Sequence, residues 1–191
     1  MDPYLQAELQ PELQPDEQLL WAGQPNPNKL FTAFDIFLIP FSLLWGGFAI
    51  FWEALALTNV MRYGGPADFF PLFGLPFLAL GIYLMFGRFL VKRYVKRNTI
   101  YAVTDRRVIT ITKAFRRSVR SLSLKRLPGL EVSTGSGRGG SVTFGHWSGL
   151  AGLYANTGME WMAWGMGQRP MAFYDLDDAR TVYELVDRLA A

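Results

Sequence analysis

With 191 residues, half of them hydrophobic, 15% aromatic and only 18% charged, the chain is too apolar for an ordinary soluble domain, in which about a quarter of residues carry charge. A membrane segment is the simplest explanation, and about 50 residues in bilayer leave about 140 for one small water-facing domain with its own core. The absence of cysteine excludes disulfide frameworks, thiol catalysis and Cys-based zinc sites.

The net charge of +3 conceals a segregation: residues 1–32 carry −4, 33–87 carry −2, 88–126 carry +12 and 127–191 carry −3. Residues 1–15 repeat Pro, Gln, Glu and Leu with too little apolar content for a core, and read as a mobile lead-in. Their acidic, polar character is unlike a cleaved signal, so any later anchor is expected to stay attached. In 16–32 a short apolar run, Leu19 to Ala22, is closed by Gly23 and Pro25, which fits one brief strand or a helical turn.

Residues 36–52 are free of charge between Asp35 and Glu53, and the apolar residues 54–57 extend the run. It is a transmembrane candidate; Pro40, Gly46 and Gly47 are tolerated in a span whose neighbours re-satisfy the backbone. Glu53 lies about 27 Å up such a helix from Asp35, and both acids read as boundary charges. A short turn with Gly64, Gly65 and Pro66 leads to a second charge-free run, 69–87, again near the length that crosses about 30 Å of hydrocarbon. Spans at about 35–57 and 69–90 make a transmembrane hairpin over 33–91, with small residues allowing close helix approach.

Arg88, Lys92, Arg93, Lys96 and Arg97 follow at once. Cations flanking a span stay on the cytoplasmic side and attract anionic inner-leaflet lipid, at about 1 kcal/mol per cation. The expectation is an inner-membrane protein with two spans and both termini cytoplasmic. Together with Arg106 and Arg107, these residues are the candidate contacts to anionic lipid. No aromatic residues interleave with the bases on a strand platform, so nucleic acid is not an expected partner.

From 98 onward the pattern becomes β. Residues 100–104 and 108–112 flank Asp105, Arg106 and Arg107 as a hairpin; 118–124, 130–134 and 141–144 add three strands of an antiparallel sheet. The literal GxGxxG at Gly135, Gly137 and Gly140 precedes a strand, whereas a dinucleotide site needs a helix there; it reads as a β-turn. Residues 146–167 carry Trp147, Trp161 and Trp164 with almost no charge. Three readings stay open: a loop over the open end of a sheet, an aromatic segment on the membrane interface, or a ligand-binding lip. The single histidine, His146, lacks partners for catalysis or metal binding and reads as structural, and no metal or other cofactor is expected. In the closing helix Val182, Leu185, Val186 and Leu189 share one face, with Asp177 or Asp178 capping its start.

The segments TIYAVTDRRVI, DEQLLWAGQP, GSVTFG and FYDLDDARTVYELVDRL, in that setting after an anchor, resemble bacterial pleckstrin-homology-like proteins, specifically the membrane-anchored group with a two-helix insertion. The likeness covers nearly the whole chain beyond Pro15, and its most specific mark runs from Tyr101 to Arg107. It implies an α+β membrane protein: a transmembrane hairpin plus a partly open, seven-stranded antiparallel barrel capped by the C-terminal helix, with Glu17 to Gly23 as a strand separated from Ile100 by the inserted hairpin. It also implies no enzymatic activity and assembly at the envelope through self-association or a protein partner. The expected function is a membrane-anchored binding or assembly module. The alternative is an accessory subunit of a small oligomeric envelope transporter or export system.

Overall fold

The computed structural model describes residues 2–64, 69–135, 139–163 and 169–190. Helix α1, Pro3–Leu9, is followed by strand β1, Leu19–Gly23, and then by the long apolar helix α2, Asp35–Tyr63. A second rod returns as α3 (Phe70–Ile82), a π-helical turn (Tyr83–Gly87) and α4 (Arg88–Arg97) without a break. Two of these helices, Asp35–Arg62 and Pro71–Arg97, are long and apolar enough to cross a membrane. They pack as an antiparallel pair, and a Cβ on Gly81 would stand only 2.9 Å from the Cα of Gly46. A side chain at position 81 would push the two helices apart.

Among the described residues seven strands form two antiparallel sheets, with no closed barrel; six of them fall where the sequence pattern places a strand. One sheet runs β1–β2–β3–β4, with β2 Thr99–Thr104, β3 Arg107–Thr112 and β4 Ser118–Ser123. The other runs β5–β6–β7, with β5 Glu131–Thr134, β6 Gly140–Phe144 and β7 Met171–Leu176. Between β4 and β5 a turn at Leu124–Arg126 and then Pro128, which has no N–H for a ladder, carry the chain to the second layer. The pairing Gly23↔Tyr101 and Leu19↔Thr104 joins β1 to β2 across the whole inserted hairpin. Gly140 pairs with Thr134 in the β5–β6 hairpin, so the glycine motif leads into a strand; Gly137 lies outside the described residues.

The main core lies between the sheets. Tyr101, Val103 and Val108 of one sheet meet Val142, Phe144 and Phe173 of the other, and Ala179, Val182 and Val186 of α5, Ala179–Ala190, close it. Asp178 caps α5 by accepting the Thr181 N–H at 3.2 Å. The outer face of the first sheet is also buried: Leu5 and Leu9 of α1 cover Ile100, Ala102, Ile109 and Ile111. Residues 1–15 therefore contribute a packed helix where the sequence reads as a mobile lead-in. Strand β2 is consequently buried at all six positions.

Candidate functional site

The two parts of the molecule meet where α4 runs into β2, and the residues there recur every four positions along one face of the helix. Arg88, Lys92 and Lys96 are 0%, 4% and 4% exposed. This corrects the expectation of a row exposed on the helix surface: it faces inward because its partners lie on residues 29 and 30, on Asp35 at the start of α2, and on the second sheet. Arg88 pairs with the buried carboxylate of Asp35, whose other oxygen accepts the Thr32 hydroxyl at 2.8 Å. Lys92 donates to the Leu30 carbonyl at 2.6 Å. Lys96 donates to the Lys29 carbonyl and pairs with Asp175 at 2.5 Å.

Asp175 is thus an ion-pair partner of Lys96. It takes a left-handed conformation with φ 52° at the end of β7, and its backbone N–H donates to the Ser141 hydroxyl at 3.1 Å. That turns its carboxylate toward Lys96 and the Asn156 amide. Asp35 and Glu53, read as boundary charges, are both buried as well. Glu53 is turned against Gly74, and its Oε2 has no hydrogen-bond partner among the described residues.

Arg107 is also engaged within the fold. Glu17 accepts its Nε at 2.8 Å and its Nη2 at 2.9 Å, together with the Thr104 hydroxyl at 2.7 Å. Burial acts to raise the Glu17 carboxyl, but the hydrogen bonds from Arg107, the Gln14 N–H and Thr104 outweigh it and bring its pKa down to about 2. The hydrogen bonds to Glu17 raise the Arg107 pKa. The end of the specific run, Thr104 to Arg107, therefore acts as a clasp on the segment preceding β1. Among the seven candidate cations, Arg93, Arg97 and Arg106 remain exposed.

The segment after β6 closes the junction. Tyr154 meets Phe34 edge-on at 6.0 Å, Met159 packs with Leu38 and Leu84, and the Trp161 indole N–H donates to the Tyr83 hydroxyl at 3.3 Å. Gly158, at φ 80°, lies so close that a Cβ would meet the Arg88 carbonyl oxygen at 2.5 Å. Trp161 thus rests on the base of the helical pair, and Trp164 lies outside the described residues. His146 faces Glu131 at 2.9 Å, and the described residues contain no group of three His, Asp or Glu side chains placed to hold a metal ion.

Behind this segment lies a cavity of about 310 Å³ between α4, the first sheet, β7 and residues 147–160. Lys92, Lys96, Arg120 and Arg169 line it, against the single carboxylate of Glu160. Trp147, Thr110 and Tyr174 line it too. Burial pushes the Tyr174 phenol up, so it stays a hydroxyl donor. The sequence hid this cavity because its lining comes from seven separate stretches between Pro25 and Tyr174. No protein-family model, curated protein or solved structure matches the chain.

Proposed function

We propose that this chain is a non-enzymatic binding or assembly module, anchored in the bacterial inner membrane by the α2–α3 hairpin and holding its two-sheet domain at a fixed height on the cytoplasmic side. The observation that carries this reading is the double attachment. Strand β1 enters the hairpin, β2 leaves it, and the two pair with each other while Arg88 pairs with Asp35 at its base. A flexible tether would need neither. The cations after the second apolar run favour the cytoplasmic orientation, and the exposure of Arg93 and Arg97 supports contact with anionic headgroups. The bacterial pleckstrin-homology-like group remains the family this reading favours, supported by strand order, the hairpin insertion between β1 and β2, and the terminal helix. The domain then offers its surface to a protein partner, a second copy or anionic lipid.

The natural lack of cysteine makes a direct test available. Single cysteines at Gly64 and at Ser133 are probed in intact cells with a membrane-impermeant maleimide. Gly64→Cys labels from outside, whereas Ser133→Cys labels only after lysis. Labelling of Ser133→Cys in intact cells, or release of the protein from membranes by alkaline carbonate, overturns the proposal.

A further inference from the structure

The cations engaged within the fold, three buried and Arg107 half-buried, differ in one respect. Arg88, Lys96 and Arg107 each have a carboxylate partner in Asp35, Asp175 and Glu17. Lys92, equally buried, holds only the Leu30 carbonyl and has no ion pair among the described residues. An ammonium carries three donors, so two remain at a group that faces the cavity. A buried charge without a counter-charge is unfavourable, because the desolvation it suffers is not offset by an ion pair. A fold that retains such a charge against an open volume gains from an anion placed there.

The rest of the lining specifies the anion. Arg120 and Arg169 line the same cavity from exposed positions, at its rim, and their guanidinium forks match phosphate oxygens two at a time. Thr110 adds a second unsatisfied group: its hydroxyl is enclosed, lines the cavity and has no hydrogen-bond partner among the described residues. The four lining cations, offset by Glu160 and by the Asp175 that pairs with Lys96, leave a surplus of two positive charges. That matches a phosphate monoester near neutral pH, which carries about −1.5 to −2. A volume of about 310 Å³ is at the lower end of small-molecule sites, which span roughly 300–1,000 Å³.

We propose that this cavity binds a phosphate-bearing anion, with Lys92 at its floor and Arg120 and Arg169 at its rim. The inference deepens the binding-module reading and rests on it for the source of the ligand. Lys92 lies about 6 Å along the helix from Arg88, where the apolar run ends, so a lipid headgroup at the inner leaflet is within reach. A soluble phosphate ester presents the same chemistry.

The experiment uses the full-length protein in a phosphate-free, non-ionic detergent. Inorganic phosphate and glycerol 3-phosphate are titrated calorimetrically. In parallel, native mass spectrometry counts lipids retained from nanodiscs of phosphatidylcholine doped with phosphatidic acid or phosphatidylglycerol. Lys92→Met and Arg120→Gln are each expected to weaken retention about tenfold or more, as loss of a charge-assisted hydrogen bond does. Lys125→Gln, an exposed cation that does not line the cavity, leaves retention unchanged. Arg120 is exposed, so its variant keeps the test open if Lys92→Met fails to fold. Retention of anionic lipid alone assigns a headgroup; competition by glycerol 3-phosphate assigns a soluble ester. Binding of neither probe, or an equal loss with Lys125→Gln, overturns the cavity site. The maleimide labelling is independent of these results and reports separately on the membrane module.

Discussion

At the scale of single residues, the junction depends on charges that have left water. Arg88 and Asp35 are each almost fully enclosed. Removing one partner of such a pair is more damaging than removing both, because a buried charge is left uncompensated; the single loss costs about 3–5 kcal/mol. Arg88→Met is therefore expected to lower thermal stability in detergent strongly, and Arg88→Met combined with Asp35→Leu to regain part of it. A double variant less stable than the sum of both singles would contradict the pairing. Glu17 gives a pH signature of its own. Its folded pKa of about 2 lies below the ordinary value of 4.5, so its stabilisation is complete above pH 4.5 and is lost as the pH falls through about 2. The gap in denaturation midpoint between the natural chain and Glu17→Gln should stay constant from pH 7 to 5 and shrink from about 4.5 downward. A gap that persists at pH 2 would show that Glu17 does not act through its charge.

At the scale of elements, α1 is the part whose importance is least evident in the amino-acid sequence. Seven residues with two leucines cannot display helical periodicity, and an isolated helix that short has no stability in water. Its order comes from elsewhere. Leu5 and Leu9 find an apolar sheet face, while Glu8 and Glu12 find Lys113 and Arg117 of the β3–β4 turn. Leu9 is fully buried, and Leu9→Ala should cost about 2–5 kcal/mol, read as a fall in the urea midpoint by tryptophan fluorescence. A change below about 0.5 kcal/mol, typical of surface positions, would mean that α1 does not cover the sheet in solution. The β2–β3 hairpin, by contrast, was legible: β-branched residues on either side of Asp105 and Arg106 announce it, and its strands begin and end within a residue of the pattern. Strand β7 was not, because Asp175 turns left-handed and the preceding segment supplies no alternation. The row Arg88, Lys92, Lys96 was visible as one helix face, but whether that face looked outward was not. Cations usually face water, and the groups that hold these three inward, residues 29, 30, 35 and 175, are distant in sequence.

At the scale of the whole molecule, the hairpin is an insertion into one sheet, and the continuity of the chain through its tip should be dispensable. Three independent contacts bridge the halves on either side of that tip. The β1–β2 ladder joins Leu19 to Gly23 with Tyr101 to Thr104, Gly46 meets Gly81 between the helices, and Arg88 pairs with Asp35 at the junction. Trp21 adds a fourth link by stacking on Phe173 of the second sheet at 6.1 Å. Splitting the chain between residues 64 and 69 leaves each of these intact and removes only the loop-closure advantage of a covalent tip. Co-expressed fragments 1–64 and 69–191 should therefore reassemble in membranes, so that an affinity tag on one recovers the other at near-equal amounts after mild solubilisation. Trp21→Pro, which interrupts the ladder and removes the ring, should cut that recovery severalfold. Gly81→Leu, which separates the helices, should do the same, and the two together should abolish it. Recovery unaffected by both would mean that neither the ladder nor the helix contact joins the fragments. Failure of the unmodified pieces to meet would mean that the sheet cannot form without the tip, and the rigid two-point mounting on which the proposed function depends would be lost with it.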